Sequence, residues 1–157
     1  ALRKGFVVAP AWAHDALLAA KQYADSHCDE IAQMTLAAFI HGGHLARHVR
    51  KMRALYAARR EALLDGLRHE LGAWLEPIPS EAGLHLAARI RAPEHAGRIV
   101  AAARRHAPGA QSIAEYSLTP PRQPALSFGY GVIDAGEIAP ALSRLRRALE
   151  TGVTEST

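Results

Sequence analysis

The feature that most limits the possible folds is a long helical pattern from His44 to Leu71, which contains no proline and one glycine, Gly66. Apolar side chains recur in it at steps of three, four or seven residues and form one stripe: Leu45, Val49, Met52, Tyr56, Leu63 and Leu67. At a rise of about 1.5 Å per residue, such a helix is about 40 Å long. That length exceeds what one small domain needs, so the helix is predicted to connect two domains.

The residues before this helix, 1–42, are expected to belong to a larger domain. Three elements are predicted in them: a buried strand over Gly5–Ala9, a helix over Asp15–Ala24, and a second helix that starts at the capping pair Ser26 and Asp29, runs to about Ile40 and stops at Gly42-Gly43. The first residue is not methionine, which agrees with a start inside a longer protein. The early apolar run is a poor secretion signal, because it is short and contains Pro10.

The residues after the helix, 72–150, predict a small α+β layer, followed by a tail at 151–157 that we expect to be frayed. Strands are predicted over 73–78, 84–90, 112–118 and 126–132, with a helix opened by Pro93 and a last helix capped by Asp134 and Glu137. The strand over 84–90 has the clearest pattern, because its apolar side chains alternate with a period of two. The order of elements predicts an antiparallel or mixed sheet with helices on one face.

The composition excludes several classes of protein. The 157 residues are 49% hydrophobic, and no apolar run approaches the roughly 20 residues that a membrane-spanning helix needs. The single cysteine, Cys28, excludes a disulfide framework and favours a reducing, cytoplasmic compartment. Cys28 has no nearby base in the sequence, and no Ser-His-Asp set stands out, so no catalytic residue is predicted.

Two short motifs contain candidate binding residues. In Leu2-Arg3-Lys4-Gly5, the planar guanidinium of Arg3 is suited to a phosphate, and Gly5 allows a close approach of the backbone. In Gly83-Leu84-His85, the imidazole lies on the face opposite the leucines, where it would face a ligand pocket. Each motif also has a plainer interpretation, the first as a solvated arginine before a strand and the second as a surface histidine.

The charged groups of the long helix leave further interpretations open. The net charge is +4, and six cations with no acid between them could bind nucleic-acid phosphates or form a solvated helix face: Arg47, Arg50, Lys51, Arg53, Arg59 and Arg60. His44 and His48 are one helical turn apart and His41 is near them, but no carboxylate or thiol sits beside them. No metal site is predicted.

Several segments together resemble one family, the MocR-type transcriptional regulators of the GntR superfamily, whose C-terminal domain is similar to fold-type-I aminotransferases. The segment 2–10 resembles the strand after the cofactor lysine, with its Arg-x-Gly element. The segment 43–63 resembles the long inter-domain helix, 82–85 a strand of the small domain, and 120–130 the last strand. The resemblance covers about residues 1 to 150.

The resemblance implies an α/β fold with an α+β small domain, the C-terminal portion of a fold-type-I transferase dependent on pyridoxal phosphate (PLP). Residues 1–42 would end the large cofactor-binding domain, 43–71 would be the connecting helix, and 72–150 would be the small domain. The parent would be a cytoplasmic homodimer that binds pyridoxal 5'-phosphate, senses an amine or amino acid, and contacts DNA through an N-terminal winged-helix domain outside this chain. Arg3 would hold the cofactor phosphate, and His85 would stand near the effector.

Two departures from the family pattern bear on catalysis. The Schiff-base lysine belongs upstream of Arg3 and therefore outside this chain, because Lys4 occupies the variable position of Arg-x-Gly. Active aminotransferases also carry an arginine for the substrate carboxylate just before the last-strand Leu-Ser-Phe, where this sequence has Ala125 and the nearest alternative is Arg122. A sensor that does not transaminate is therefore expected. The alternatives are a fragment of a working aminotransferase and a basic nucleic-acid-binding module.

Overall fold

The computed structural model describes residues 5–24, 28–81, 83–119 and 121–154. The described residues form α1 (His14–Ala24), α2 (Glu30–His41), α3 (His44–His69), β1 (Leu75–Pro77), β2 (His85–Ile90), α4 (Ala96–His106), β3 (Ala110–Ser112), β4 (Ala125–Gly129) and α5 (Ala135–Thr154). Short 3₁₀ helices cover Ala11–Ala13, Pro93–His95 and Ile113–Tyr116. The chain divides into two compact units, Ala1–Lys51 and Met52–Thr157, and the division falls inside α3. No helix in the described ranges has both the length and the apolar character needed to cross a membrane.

The helices of the first unit begin and end close to the predicted residues. The Asp29 carboxylate caps α2 by accepting a hydrogen bond from the Ala32 backbone N–H at 3.0 Å, whereas Ser26 lies outside the described residues. At the other end, the Gly42 N–H donates to the carbonyl of Ala38. Gly43 follows with φ +70°, in the left-handed region that favours glycine.

The strand predicted over Gly5–Ala9 is wrong for this structure. Residues 5–10 adopt no regular secondary structure, and the side chains of Phe6 and Val8 are 90% and 88% exposed. A strand needs a neighbour for its backbone N–H and C=O groups. Within the described residues, no strand pairs with this segment.

The second unit contains an antiparallel four-stranded sheet in the order β1-β2-β4-β3. On its inner face, Leu86 is paired with Phe128 and Ala88 with Leu126, and all four side chains are buried. They pack in one core with buried residues of three helices: Leu63 and Leu67 of α3, Ile99 and Ala103 of α4, and Ile138, Leu142, Leu145 and Leu149 of α5. This arrangement confirms the predicted α+β layer with helices on one face of the sheet.

Two predicted strand boundaries in the second unit are wrong in detail. The strand expected over 112–118 is β3, which ends at Ser112, because Ser112 and Glu115 form a capping box that starts a 3₁₀ helix instead. The strand expected over 126–132 is β4, and its alternation of buried and partly exposed side chains ends with buried Tyr130. The Val132 side chain is 95% exposed. The last helix, α5, runs to Thr154.

Candidate functional site

The outer face of the sheet, opposite the core, carries most of its polar side chains. Paired residues of antiparallel strands share a face, and the register places three pairs there: His85 with Gly129, Ala87 with Ser127, and Arg89 with Ala125. The β4 half of this face is therefore built from small side chains.

The imidazole of His85 lies over Gly129. A Cβ atom added at Gly129 would meet both Cδ2 and Nε2 of His85 at 3.4 Å. The Gly129 N–H donates to the carbonyl of Gly109 at 3.1 Å, and Gly109 has φ +90°. Glycine at both positions therefore allows the loop before β3 to approach β4 closely beside His85.

Tyr130 fixes the segment that leads into His85. Its backbone N–H donates to the carbonyl of Leu84 at 2.9 Å, and its hydroxyl donates to the carbonyl of Gly83 at 2.7 Å. The Tyr130 ring is buried, so both hydrogen bonds lie at the edge of the core. Sequence reasoning missed this role, although the aromatic residue at the end of the β4 alternation was a usable signal.

Arg122 and His85 stand at opposite ends of the β2–β4 ladder. Arg122 is exposed in the loop that leads into β4, whose first residue, Ala125, is paired with Arg89. Arg89 lies four positions after His85 in β2, which is about 13 Å at the usual rise of a strand. The structure therefore does not gather the two predicted effector residues at one point of the ladder.

Ionic contacts occupy the β1 edge of the same face. The Glu76 carboxylate is 3.3 Å from Nη1 of Arg89 and 3.9 Å from Nη1 of Arg91. These side chains are 40–50% exposed, so water screens the pairs and each contributes little to stability. Arg89 is nevertheless the cation directly across from Ala125.

A second ionic contact holds the 3₁₀ helix after β3. Nη2 of Arg104 donates to Oε1 of Glu115 at 2.8 Å, and the Ser112 backbone N–H donates to the same oxygen at 3.2 Å. The hydrogen bond from Arg104, and then that from Ser112, hold the pKa of the Glu115 carboxyl below its usual value. The group therefore stays ionised at neutral pH and completes the capping box.

The six predicted cations of α3 do not form one surface. Arg59 is only 6% exposed, with Nη1 donating to the Gly131 carbonyl at 2.8 Å and Nη2 to the Asp134 carboxylate at 3.3 Å. Arg60 donates to the carbonyl of Ser80. The remaining four are exposed: Arg47, Arg50, Lys51 and Arg53. The prediction that the whole run forms a nucleic-acid-binding surface is therefore wrong, because Arg59 and Arg60 bind other parts of this chain.

The histidines near the start of α3 have local contacts. Nδ1 of His41 lies 3.0 Å from the carbonyl of Ala37, and the His44 ring stacks on Phe39 with centroids 5.4 Å apart. Among the described residues, no three His, Cys, Asp or Glu side chains are grouped as metal ligands.

The first unit has an apolar cleft of about 610 Å³ beside α1. Two of its lining side chains are polar, His14 and Lys21, and Nε2 of His14 already lies 3.0 Å from the Ala9 carbonyl. A PLP site needs a cradle of several phosphate donors beside its lysine. The described residues do not supply that cradle, and Arg3 and Lys4 lie outside them. The part of the chain that the structure describes therefore does not fit the cofactor by itself.

Comparison with known proteins links the chain to bacterial regulators. It is 32% identical over 148 residues to the probable rhizopine catabolism regulatory protein MocR of Rhizobium meliloti, a match that covers 94% of this chain and 30% of that protein. It is 27% identical over 128 residues to the HTH-type transcriptional regulator YhdI of Bacillus subtilis, covering 82% of this chain and 26% of that protein. The chain thus spans less than a third of the length of these relatives. No family model matches it.

Two solved structures that share the fold of this chain are aminotransferases. LysN, the α-aminoadipate aminotransferase of Thermus thermophilus, solved with N-(5'-phosphopyridoxyl)-L-leucine, superposes with a TM-score of 0.76 at 23% identity. That match covers 98% of this chain and 39% of LysN. The kynurenine aminotransferase of Pyrococcus horikoshii superposes with a TM-score of 0.72 at 17% identity, over 85% of this chain and 33% of the enzyme.

Proposed function

Since the chain is an aminotransferase-like region related to the MocR-type transcriptional regulators, we propose that it senses an amine or amino acid without transaminating it. Ala125 is the observation that carries this proposal. In the resemblance to aminotransferases, this position holds the arginine that binds the substrate carboxylate, whereas here it is a buried methyl group. A lost charge-assisted hydrogen bond costs about 1.5–3 kcal/mol, roughly tenfold to a hundredfold in affinity.

The proposed effector contacts are His85, on the outer face of the sheet, and Arg122, in the loop that leads into β4. His85 is exposed at the start of β2, where the Tyr130 contacts support its backbone, and Arg122 is exposed at the other end of the ladder. The β2–β4 ladder between His85 and the Ala125 end is about 13 Å long, so two side chains at its opposite ends would recognise different groups of an extended ligand.

The whole parent protein is proposed to be a homodimer that binds PLP and contacts DNA through a separate domain. In this proposal, residues 1–42 complete the large cofactor-binding domain, 43–71 connect the domains, and 72–150 form the small domain. Arg3 would hold the cofactor phosphate. The regulator relatives and the PLP-derived ligand in LysN support this assignment.

The test uses the full-length protein that contains this chain, loaded with PLP and titrated with amines and amino acids. The readouts are the cofactor absorbance and the affinity for operator DNA. We expect His85→Gln and Arg122→Gln each to raise the half-maximal effector concentration about tenfold to a hundredfold. The matched controls His69→Gln and Arg68→Gln, exposed in the last turn of α3, should leave it unchanged.

Two results would contradict the proposal. Multiple turnovers of amino acid to 2-oxo acid by the full-length protein would favour the aminotransferase alternative. If the two variants had the same half-maximal effector concentration as their controls, His85 and Arg122 would not belong to the effector site.

A further inference from the structure

The last turn of α4 and the C-terminal half of α5 flank a shallow basic groove of about 440 Å³. Its lining residues are Arg105, His106, Arg144, Arg147, Ala148 and Thr151. We call this the α4–α5 groove. Its three arginines are exposed, and no lining residue is acidic. The groove therefore gathers cations from two helices on one concave surface.

The carboxylates of the neighbouring turns are held by other arginines. Glu115 accepts from Arg104 at 2.8 Å, while Arg146 contacts Glu70 at 3.0 Å and Glu150 at 2.8 Å. Within the described ranges, Arg105, Arg144 and Arg147 form no ion pair. Their exposed guanidinium groups are therefore accessible to a ligand.

We propose that the α4–α5 groove binds the phosphate backbone of duplex DNA without reading its sequence. Arginine donates two parallel hydrogen bonds to a phosphate, and a duplex presents one charge per about 1.7 Å along its axis. An open groove with exposed arginines on two helices suits such a continuous row of phosphates better than one enclosed anion. The exposed cations of α3, in contrast, lie along a single helix. The choice of DNA over other polyanions rests on the proposed regulator function.

The test measures binding of this chain to a labelled duplex of about 20 base pairs and arbitrary sequence, between about 50 and 200 mM salt. The groove variant is Arg105→Gln with Arg144→Gln and Arg147→Gln. The control variant is Arg47→Gln with Arg50→Gln and Arg53→Gln, which removes the same charge from α3. Both sets of side chains are exposed, so circular dichroism should show unchanged folding.

We expect the groove variant to bind more than tenfold more weakly at low salt. The slope of its plot of log affinity against log salt concentration should become smaller in magnitude by about 2 to 3. Each phosphate contact contributes about 0.9 to that slope. The control variant should stay within about twofold of the wild type in affinity, with most of its salt slope retained. An equal or larger loss in the control variant would overturn the proposal, as would strong preference for one DNA sequence.

Competition separates DNA from other anions. Tripolyphosphate and poly-glutamate, each added at the charge concentration of the duplex, should leave most of the DNA bound. Displacement by tripolyphosphate would assign the groove to a free phosphate compound, and displacement by poly-glutamate to an acidic protein segment. Either displacement overturns the proposal while leaving the effector titration of the full-length protein unaffected, so the two proposals fail separately.

Discussion

Arg59 differs from the other cations of α3 because its guanidinium is enclosed by protein. Beside its bonds to Gly131 and Asp134, it lies over the Tyr56 ring, with Cζ 5.9 Å from the ring centroid. Its Nε is buried without a hydrogen-bond partner. A buried charge of this kind is costly unless it is well paired, so its contacts fix where the turn between β4 and α5 must lie.

We predict that Arg59→Met lowers the free energy of unfolding by about 1–3 kcal/mol, because it leaves the Gly131 carbonyl without its donor. Asp134→Asn should cost less than about 1 kcal/mol, because the Asp134 side chain is 88% exposed and water already hydrates it. Urea titration followed by circular dichroism measures both. The exposed control Arg53→Met should change the value by less than about 0.5 kcal/mol. Equal losses in the Arg59 and Asp134 variants would show that the ion pair, not the carbonyl bond, stabilises the turn.

The sequence could predict which face His85 occupies but not what Arg59 contacts. Alternation along β2 is a local pattern, and it correctly separated exposed His85 from buried Leu86. Arg59 meets Gly131 and Asp134, which are 72 and 75 residues away, and Tyr130 meets Gly83 at a distance of 47 residues. Periodicity carries no information on such pairs, because it describes neighbours in sequence only.

At the scale of the elements, helices with strong apolar stripes were predictable and short elements were not. The stripe of α5 is buried as expected, since a 20-residue helix repeats its pattern several times. β3 has only three residues, and the capping box at Ser112 decides the conformation that follows it. A single side-chain hydrogen bond can redirect so short a segment.

Two helical glycines give a test of the packing between helices. A Cβ atom at Gly66 of α3 would lie 2.3 Å from Cδ1 of Leu142, a buried residue of α5, whereas one at Gly97 of α4 would meet nothing within 4 Å. We expect Gly66→Ala to lower the free energy of unfolding. Overpacking destabilises the fold by about 1–3 kcal/mol, whereas the higher helix propensity of alanine stabilises it by only about 1 kcal/mol. Gly97→Ala should stabilise by up to about 1 kcal/mol. Thermal unfolding of both variants measures the difference, and a stabilising Gly66→Ala would contradict the close contact.

At the scale of the whole molecule, the first unit presents apolar side chains that nothing in the described residues covers. Among them are Phe6 at 90%, Trp12 at 84%, Ile31 at 80% and Met34 at 73% exposure. They lie in segments 5–13 and 31–40, where the sequence predicted buried elements of a larger domain. Exposed apolar patches of this kind drive association.

We therefore expect the isolated chain to form dimers or larger assemblies at micromolar concentration, measured by light scattering. Trp12→Glu combined with Met34→Glu should shift it towards monomer, since charges oppose burial of these surfaces. Val132→Glu is the matched control, because Val132 is 95% exposed in the second unit. A wild-type chain that stays monomeric throughout would contradict the expectation that these segments are parts of an incomplete layer.

In the strand order β1-β2-β4-β3, the strand that is synthesised last, β4, lies in the interior of the sheet. During translation, β2 has only β1 as a neighbour, and β3 has none, until residues 125–129 are synthesised. At about 5–20 residues per second, roughly 2–8 s pass between Ile90 and Gly129. For that interval the nascent chain carries an unpaired apolar strand edge, which is a template for pairing with other chains. The sheet of the second unit therefore cannot be completed before residues 125–129 are available, because both β2 and β3 pair with β4.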